Sequence, residues 1–340
     1  MVQLSDTAFS TPVSPAPRET WRDIHAQDPF ATTFQSPQWM LAAVSDGHYT
    51  DASRLYSTPE GSAVLPLAEA RLLSVKTSLA SMPHGLGASG LISDAPLSVP
   101  FVRSVIDDLM RLPHWRIAIR PNALQADVWE AAMPSAWRKV KRQTHILDLQ
   151  QGYDFWWANQ IGQRKRGKIR KAVREGVAVE YGNSPDFVRR YYDLYLRWTE
   201  NRAAKRRLPL RLARWLAVRR EPLWKFRATA GMLGDDLRIY IASYKGRDAA
   251  AAVFLAAGRS AIYWRGASDT SIGFACNDLL QSEMIKQACL LGCTFYHLGE
   301  SGGVASLIEF KESLGAHPYD YAEYVYDRTP RLLNIARLGR

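Results

Sequence analysis

Apolar positions along this chain recur with two alternating spacings, near 3.6 and near 2, as expected of helices and strands taking turns. Phe34-Gln35-Ser36-Pro37-Gln38-Trp39-Met40 predicts a turn into a helix, with Ser36 as N-cap and Pro37 at the first helical position. Strands follow near 52–57 and 62–71, and Pro66 places the second at an edge or a bulge. After a Gly-rich loop from Met82 to Gly90, Val99–Leu112 has helical periodicity, Trp115–Arg120 alternates like a strand, and Thr144–Leu149 reads as another.

A second series opens near Gln150. Tyr153–Ala158 begins a helix that runs into Gln163–Ala172 and stops at Gly176, followed by a strand over Val177–Tyr181. Ser184-Pro185-Asp186 caps a helix from Phe187 to about Ala204, and a basic helix occupies roughly 209–220. Leu237–Tyr244 and Ala249–Ala257 form a hairpin across Lys245-Gly246-Arg247-Asp248, and Ala261–Arg265 adds a third strand. Asn277–Leu291 is a helix ended by Gly292, Thr294–Leu298 a strand, Ala305–Leu314 a helix ended by Gly315, and Tyr319–Tyr326 a final strand.

The two series suggest a duplicated fold, since Gly61–Leu67 and Asp248–Phe254 each follow one strand and precede another. The expected organisation is a flexible tail over 1–18, one domain over 19–149, a second over 150–328, and a C-terminal tail over 329–340. The longest apolar run, Ala249–Ala257, is too short to cross a bilayer, and the N-terminus lacks the features of a signal peptide. A cytoplasmic protein is therefore expected.

Composition refines this picture in two places. The net charge is +11, and residues 164–220 hold 18 of the 44 Lys and Arg but only 5 of the 33 Asp and Glu. One middle segment carries the whole basic excess, so it should seek phosphates on a nucleotide, an RNA or a lipid surface. The three cysteines, Cys276, Cys289 and Cys293, are too few and too odd in number for a disulfide scaffold. Without a nearby His or further Cys they make a poor zinc site, and no metal is expected.

Three stretches give the second series a family likeness. They are Lys168–Glu180; Tyr263-Trp264-Arg265-Gly266-Ala267-Ser268 with Asn277-Asp278-Leu279-Leu280; and Tyr296–Glu300 through Glu309-Phe310-Lys311-Glu312-Ser313-Leu314-Gly315-Ala316. Residues 150–326 resemble the Fem-type aminoacyltransferases and their GNAT-like relatives, and the likeness is weaker over 20–149. The resemblance implies an α/β (α+β) fold of two tandem GNAT-like domains, each a mixed, mainly antiparallel sheet flanked by helices. It also implies transfer of an aminoacyl group from aminoacyl-tRNA, as co-substrate, to an amine on a small molecule or a peptidoglycan precursor. No other cofactor is implied, and a monomer is common among twin-domain relatives.

Such a transfer needs an aligned amine and a stabilised oxyanion but no covalent nucleophile. In the pair Phe310-Lys311, which matches the family motif, Lys311 is the candidate charge stabiliser and Phe310 packs beneath it or stacks on a ligand ring; the plain alternative is a solvent-facing Lys beside a core Phe. His297 and Glu300 are candidates to deprotonate the amine. Tyr263 and Arg265, expected on one face of a central strand, are candidate substrate contacts, as is Ser301 with its following glycines. Asn277 either contacts substrate or caps its helix. Lys168, Arg170, Lys171 and Arg174, with Arg206 and Arg207, are candidates for RNA phosphates; a solvated charged face is their plain alternative. The turn Gly266–Gly273 lacks the Gly-rich pattern with which CoA-dependent GNAT enzymes hold a pyrophosphate. Three readings stay open: an aminoacyl-tRNA-dependent transferase, an acyl-CoA-dependent N-acyltransferase, and a non-catalytic RNA- or membrane-surface-binding protein.

Overall fold

The computed structural model describes residues 9–72, 75–83, 86–269, 271–272 and 275–328. Residues 1–8 of the expected N-terminal tail, the expected C-terminal tail over 329–340, and His84, Gly85, Thr270, Gly273 and Phe274 of the two loops lie outside the described residues. The chain divides into two compact units, Met1–Gln143 with Tyr319–Arg340, and Thr144–Pro318.

The first unit runs α1 (Arg18–Gln27), α2 (Pro37–Val44), β1 (Thr50–Asp51), β2 (Arg54–Thr58), β3 (Gly61–Leu65), β4 (Ala68–Leu72), β5 (Val75–Ala80), β6 (Ile92–Ser93), α3 (Val99–Arg111), β7 (Arg116–Ile119), α4 (Ala126–Ala132) and the start of β8 (Arg138–Asp148). Ser36 caps α2 by accepting from the Trp39 amide, as its position before Pro37 predicts. The expected strand over 62–71 is two strands: Pro66 lies at the junction where β3 leaves a small sheet with β2 and β6 and β4 joins the main one. Residues 9–17, expected within a loose tail, run beside β2, where Val13 bridges Leu55 and the Ala16 amide donates to Ser53. Helix α3 buries Val102, Val105, Ile106 and Leu109, one turn apart along a stripe, against Ile117, Ile119 and Trp129.

The second unit continues with α5 (Gly152–Phe155), α6 (Gln163–Arg174), β9 (Ala178–Gly182), α7 (Pro185–Lys205), α8 (Leu210–Arg220), α9 (Leu223–Leu233), β10 (Leu237–Tyr244), β11 (Arg247–Ala257), β12 (Ser260–Ser268), α10 (Cys276–Leu290), β13 (Phe295–Glu300) and α11 (Ala305–Glu312); β14 (His317–Asp327) follows. Its sheet runs β8-β13-β12-β11-β10-β9 and is antiparallel except between β12 and β13. Helices α6 and α10 cover the face that carries Phe254, Tyr296 and Leu298, while α7 and α9 pack on the other.

Both units share an order: an antiparallel pair, a helical crossover, then a parallel strand. It reads β4-β5-α3-β7 in the first unit and β11-β12-α10-β13 in the second. The counterpart of β11 is thus β4, not the Gly61–Leu65 strand that the sequence repeat suggests. The closing strands are exchanged. β8, which follows α4, pairs with β13 of the second unit, and β14, which follows α11, pairs with β7 of the first. The final strand expected to complete the C-terminal half therefore completes the N-terminal one, where Glu323 accepts from Arg120 at 3.2 Å and Arg142 at 2.5 Å.

The single helix expected across 153–172 is broken. Trp156–Gln160 forms a π turn, and Ile161 is extended. A five-residue repeat aligns Trp156 with Ile161, so both enter the core, and the Trp156 indole donates to the Leu314 carbonyl at 2.7 Å. Gly315, at φ +86°, sits against this turn: a Cβ there would lie 2.9 Å from the Gln160 Cβ and 3.0 Å from its carbonyl oxygen. Gly315→Ala should therefore lower stability by roughly 2 kcal/mol or more, from left-handed strain and the clash together. Urea unfolding with an unchanged midpoint would show that this packing carries no such constraint.

Candidate active site

Strands β12 and β13 pair only at Ser260↔Phe295, Ala261↔Tyr296 and Ile262↔His297, although β12 continues to Ser268 and β13 to Glu300. Beyond those three positions the sheet opens. On the far side of β13 the register with β8 shifts, so that His297 faces Ile146 and Gly299 faces His145. Gly299 has φ +74°, the conformation of a bulge residue that a side chain would resist.

The bulge turns the Gly299 carbonyl toward α11, and the Lys311 Nζ donates to it at 2.7 Å. Lys311 is only 4% exposed. Burial pushes its ammonium down to about 8, against a partly compensating pull from Glu300. One of its three N–H bonds is spent on Gly299, which leaves donors for another acceptor. Glu300 itself is exposed at the end of β13.

Several buried polar groups at this end of β13 lack partners. His145 is fully buried with neither ring nitrogen hydrogen-bonded, and the Ser301 hydroxyl and His297 Nε2 are likewise unpaired. Burial, and then the Lys311 charge, hold the His145 pKa below the ordinary histidine value. His145 is a residue that sequence reasoning missed; its only signal was a lone histidine in an apolar strand.

The remaining expected residues separate. His297 projects to the face opposite Tyr296 and Leu298, and burial pushes it down to about 4, so at neutral pH it is an uncharged, weak base. Tyr263 and Arg265 do not share a face. Trp264 is bulged, which pairs them with the consecutive residues Phe254 and Val253, on opposite sides. Tyr263 turns its hydroxyl over Gly266, where an added Cβ would come within 1.8 Å. Arg265 finds its anion inside the protein, in Glu221 at 2.6 Å. Asn277 stands within the first turn of α10 and makes no capping bond, so the cap reading is corrected.

Phe310 does not lie beneath Lys311. Its ring carries the Lys165 ammonium, 4.3 Å from the centroid, and Lys165 in turn meets Asp278 at 2.6 Å. This buried pair ties α6, α10 and α11 together. Lys168, Arg170, Lys171 and Arg174 are all exposed on the outer side of α6, and Arg170 lies over the Trp157 ring at 5.8 Å. Lys168, Arg170 and Arg174 make no ion pair with a described residue. Arg206 and Arg207 are exposed in the turn after α7.

Just past β12, Asp269 accepts from the amide of Ser271 at 3.0 Å and from its hydroxyl at 2.6 Å, which hold its carboxyl below the usual range. An ionised carboxylate thus occupies the turn where a pyrophosphate would need donors.

Asp278→Leu leaves Lys165 buried without its partner and should cost roughly 3 kcal/mol, whereas Lys165→Met together with Asp278→Leu should cost far less. A thermal-unfolding double-mutant cycle measures the difference; additive costs would mean that the pair is not coupled.

Residues 162–312 match the sequence model of an acetyltransferase (GNAT) domain. No curated protein matches the chain. Among solved structures, FemX is similar over 97% of this chain and 100% of its own, at 12% identity and a TM-score of 0.68. A tandem GNAT protein from the clavulanic acid biosynthesis pathway is similar over 94% of this chain and 99% of its own, at 12% identity and a TM-score of 0.52. The C-terminal domain of a putative lysylphosphatidylglycerol synthetase from Agrobacterium fabrum is similar over 94% of each chain, at 13% identity and a TM-score of 0.51.

Proposed function

We propose that this chain, a GNAT-superfamily acyltransferase with the tandem fold of the Fem-type proteins, forms amides by moving an aminoacyl group from aminoacyl-tRNA to an amine. The observation that carries the proposal is the buried Lys311 ammonium, fixed by the Gly299 carbonyl where β12 and β13 part. In this reading the amine attacks the ester carbonyl. The oxyanion that forms accepts from the remaining Lys311 donors, and the intermediate collapses with cleavage of the ester C–O bond and release of the tRNA ribose hydroxyl. Glu300, exposed at the end of β13, takes the proton lost by the amine and returns it to the departing ribose oxygen.

The exposed cations of α6 suit the phosphates of an acceptor stem, and the Asp269 carboxylate disfavours a CoA pyrophosphate in the turn after β12. A second reading, transfer from acyl-CoA, draws on the match to an acetyltransferase domain. Incubation with a pool of charged tRNAs, with and without RNase, beside a parallel incubation with acyl-CoA, separates the two. Product that forms with acyl-CoA, or survives RNase, overturns the tRNA reading.

The ammonium form of Lys311 is the active one here, so turnover should fall as pH rises through about 8. The same burial has the opposite sign for stability. An unfolded lysine keeps its proton to about 10.5 while the folded one releases it near 8, so the fold gains stability as pH rises across that window. Lys311→Met should abolish turnover yet raise neutral-pH stability by on the order of 2 kcal/mol. Retained turnover in that variant would remove Lys311 from the mechanism.

A further inference from the structure

Helix α8 is covered by the protein along only a narrow strip. Of its 11 residues only Ala217 is buried. Leu208, just before it, and Leu210, Leu212, Trp215, Leu216 and Val218 are each between 41% and 54% exposed. A soluble surface rarely presents so many large apolar side chains on one element. The helix has no acidic residue but holds Arg211, Arg214, Arg219 and Arg220, and Arg206 and Arg207 precede it. Leu212, Trp215, Leu216 and Arg219 lie one turn apart on one outward arc, with the Arg219 guanidinium 5.3 Å from the centre of the Trp215 ring. Arg214 is engaged by Glu200 at 2.8 Å; Arg211, Arg219 and Arg220 make no ion pair with a described residue.

We propose that α8 is an interfacial helix that seats the protein on an anionic lipid bilayer. The leucines and the valine require an apolar medium, the arginines require anions, and a bilayer surface rich in anionic headgroups supplies both within the depth of one helix. RNA would satisfy the arginines and stack on Trp215 but would leave the aliphatic side chains in water. A second copy of the chain would bring arginine against arginine. The charge of segment 164–220 attracts the surface from a distance, and α8 makes the contact. The phosphates sought by Arg206 and Arg207 are, on this view, those of lipid headgroups. The inference does not depend on the acyl donor.

Among the described residues no helix is long and apolar enough to cross a membrane, so attachment of this kind is peripheral and reversible. The test is co-sedimentation of the full chain with vesicles of phosphatidylcholine alone, or of equal parts phosphatidylcholine and phosphatidylglycerol. Binding to the mixed vesicles only is expected. It should weaken by about tenfold or more in Leu212→Asn with Leu216→Asn, and by a similar factor in Arg211→Gln with Arg219→Gln, with melting temperatures unchanged because these side chains are exposed. The proposal is overturned if neither vesicle is bound or both are bound equally, or if only the arginine pair matters. It is also overturned if the leucine pair instead abolishes a solution dimer or the retention of tRNA.

Discussion

The constraint at the centre of the candidate site is one buried hydrogen bond, the Lys311 ammonium on the Gly299 carbonyl. A cation so deeply buried is tolerable only with fixed partners, and the protein arranges much of its local structure to supply them. The bulge in β13 and the positive φ of Gly299 turn the carbonyl toward α11. Gly315 closes α11 against the π turn at Trp156–Gln160, and the Trp156 indole fastens that turn to Leu314. The buried Lys165–Asp278 pair, roofed by Phe310, holds α6 and α10 to the same helix. Together they surround a buried ammonium held on the Gly299 carbonyl, beyond the last paired positions of β12 and β13.

The basic segment has two separate outlets. On α6 the cations stand out on an exposed face whose inner side, through Ile169 and Ala172, is ordinary core. On α8 the cations are interleaved with exposed leucines and Trp215. The composition is nearly the same, but the apolar company differs, and this separates a face suited to solvated phosphates from one suited to a lipid interface.

Much of the fold was legible in the sequence. Where caps and periodicity agree, as at Ser36-Pro37, Val99–Leu112, Ser184-Pro185 and the Leu237–Ala257 hairpin, the elements stand within a few residues of expectation. The misses have nonlocal causes. The exchange of β8 and β14 between units depends on strand pairing, which local periodicity cannot express. The π turn answers to Trp156 and Ile161 entering one core. Helix α9 does carry a local signal, Phe226, Ala230 and Leu233 at helical spacing. In the site, the bulge at Trp264 separates Tyr263 from Arg265, and the register of β13 sends His297 to the face opposite Tyr296 while His145 comes within reach of the Lys311 charge. Strand alternation is a sound guide only until one residue is inserted.

The account rests on Lys311 being a buried, partnered ammonium whose proton is held less tightly than that of a free lysine. Nitrogen-15 NMR of the side-chain amines, with the Lys311 signal assigned by its loss in Lys311→Arg, measures this directly. A titration midpoint near 8 is expected; a midpoint at the ordinary 10.5 would mean that the side chain stands in water, and the site as described would not exist.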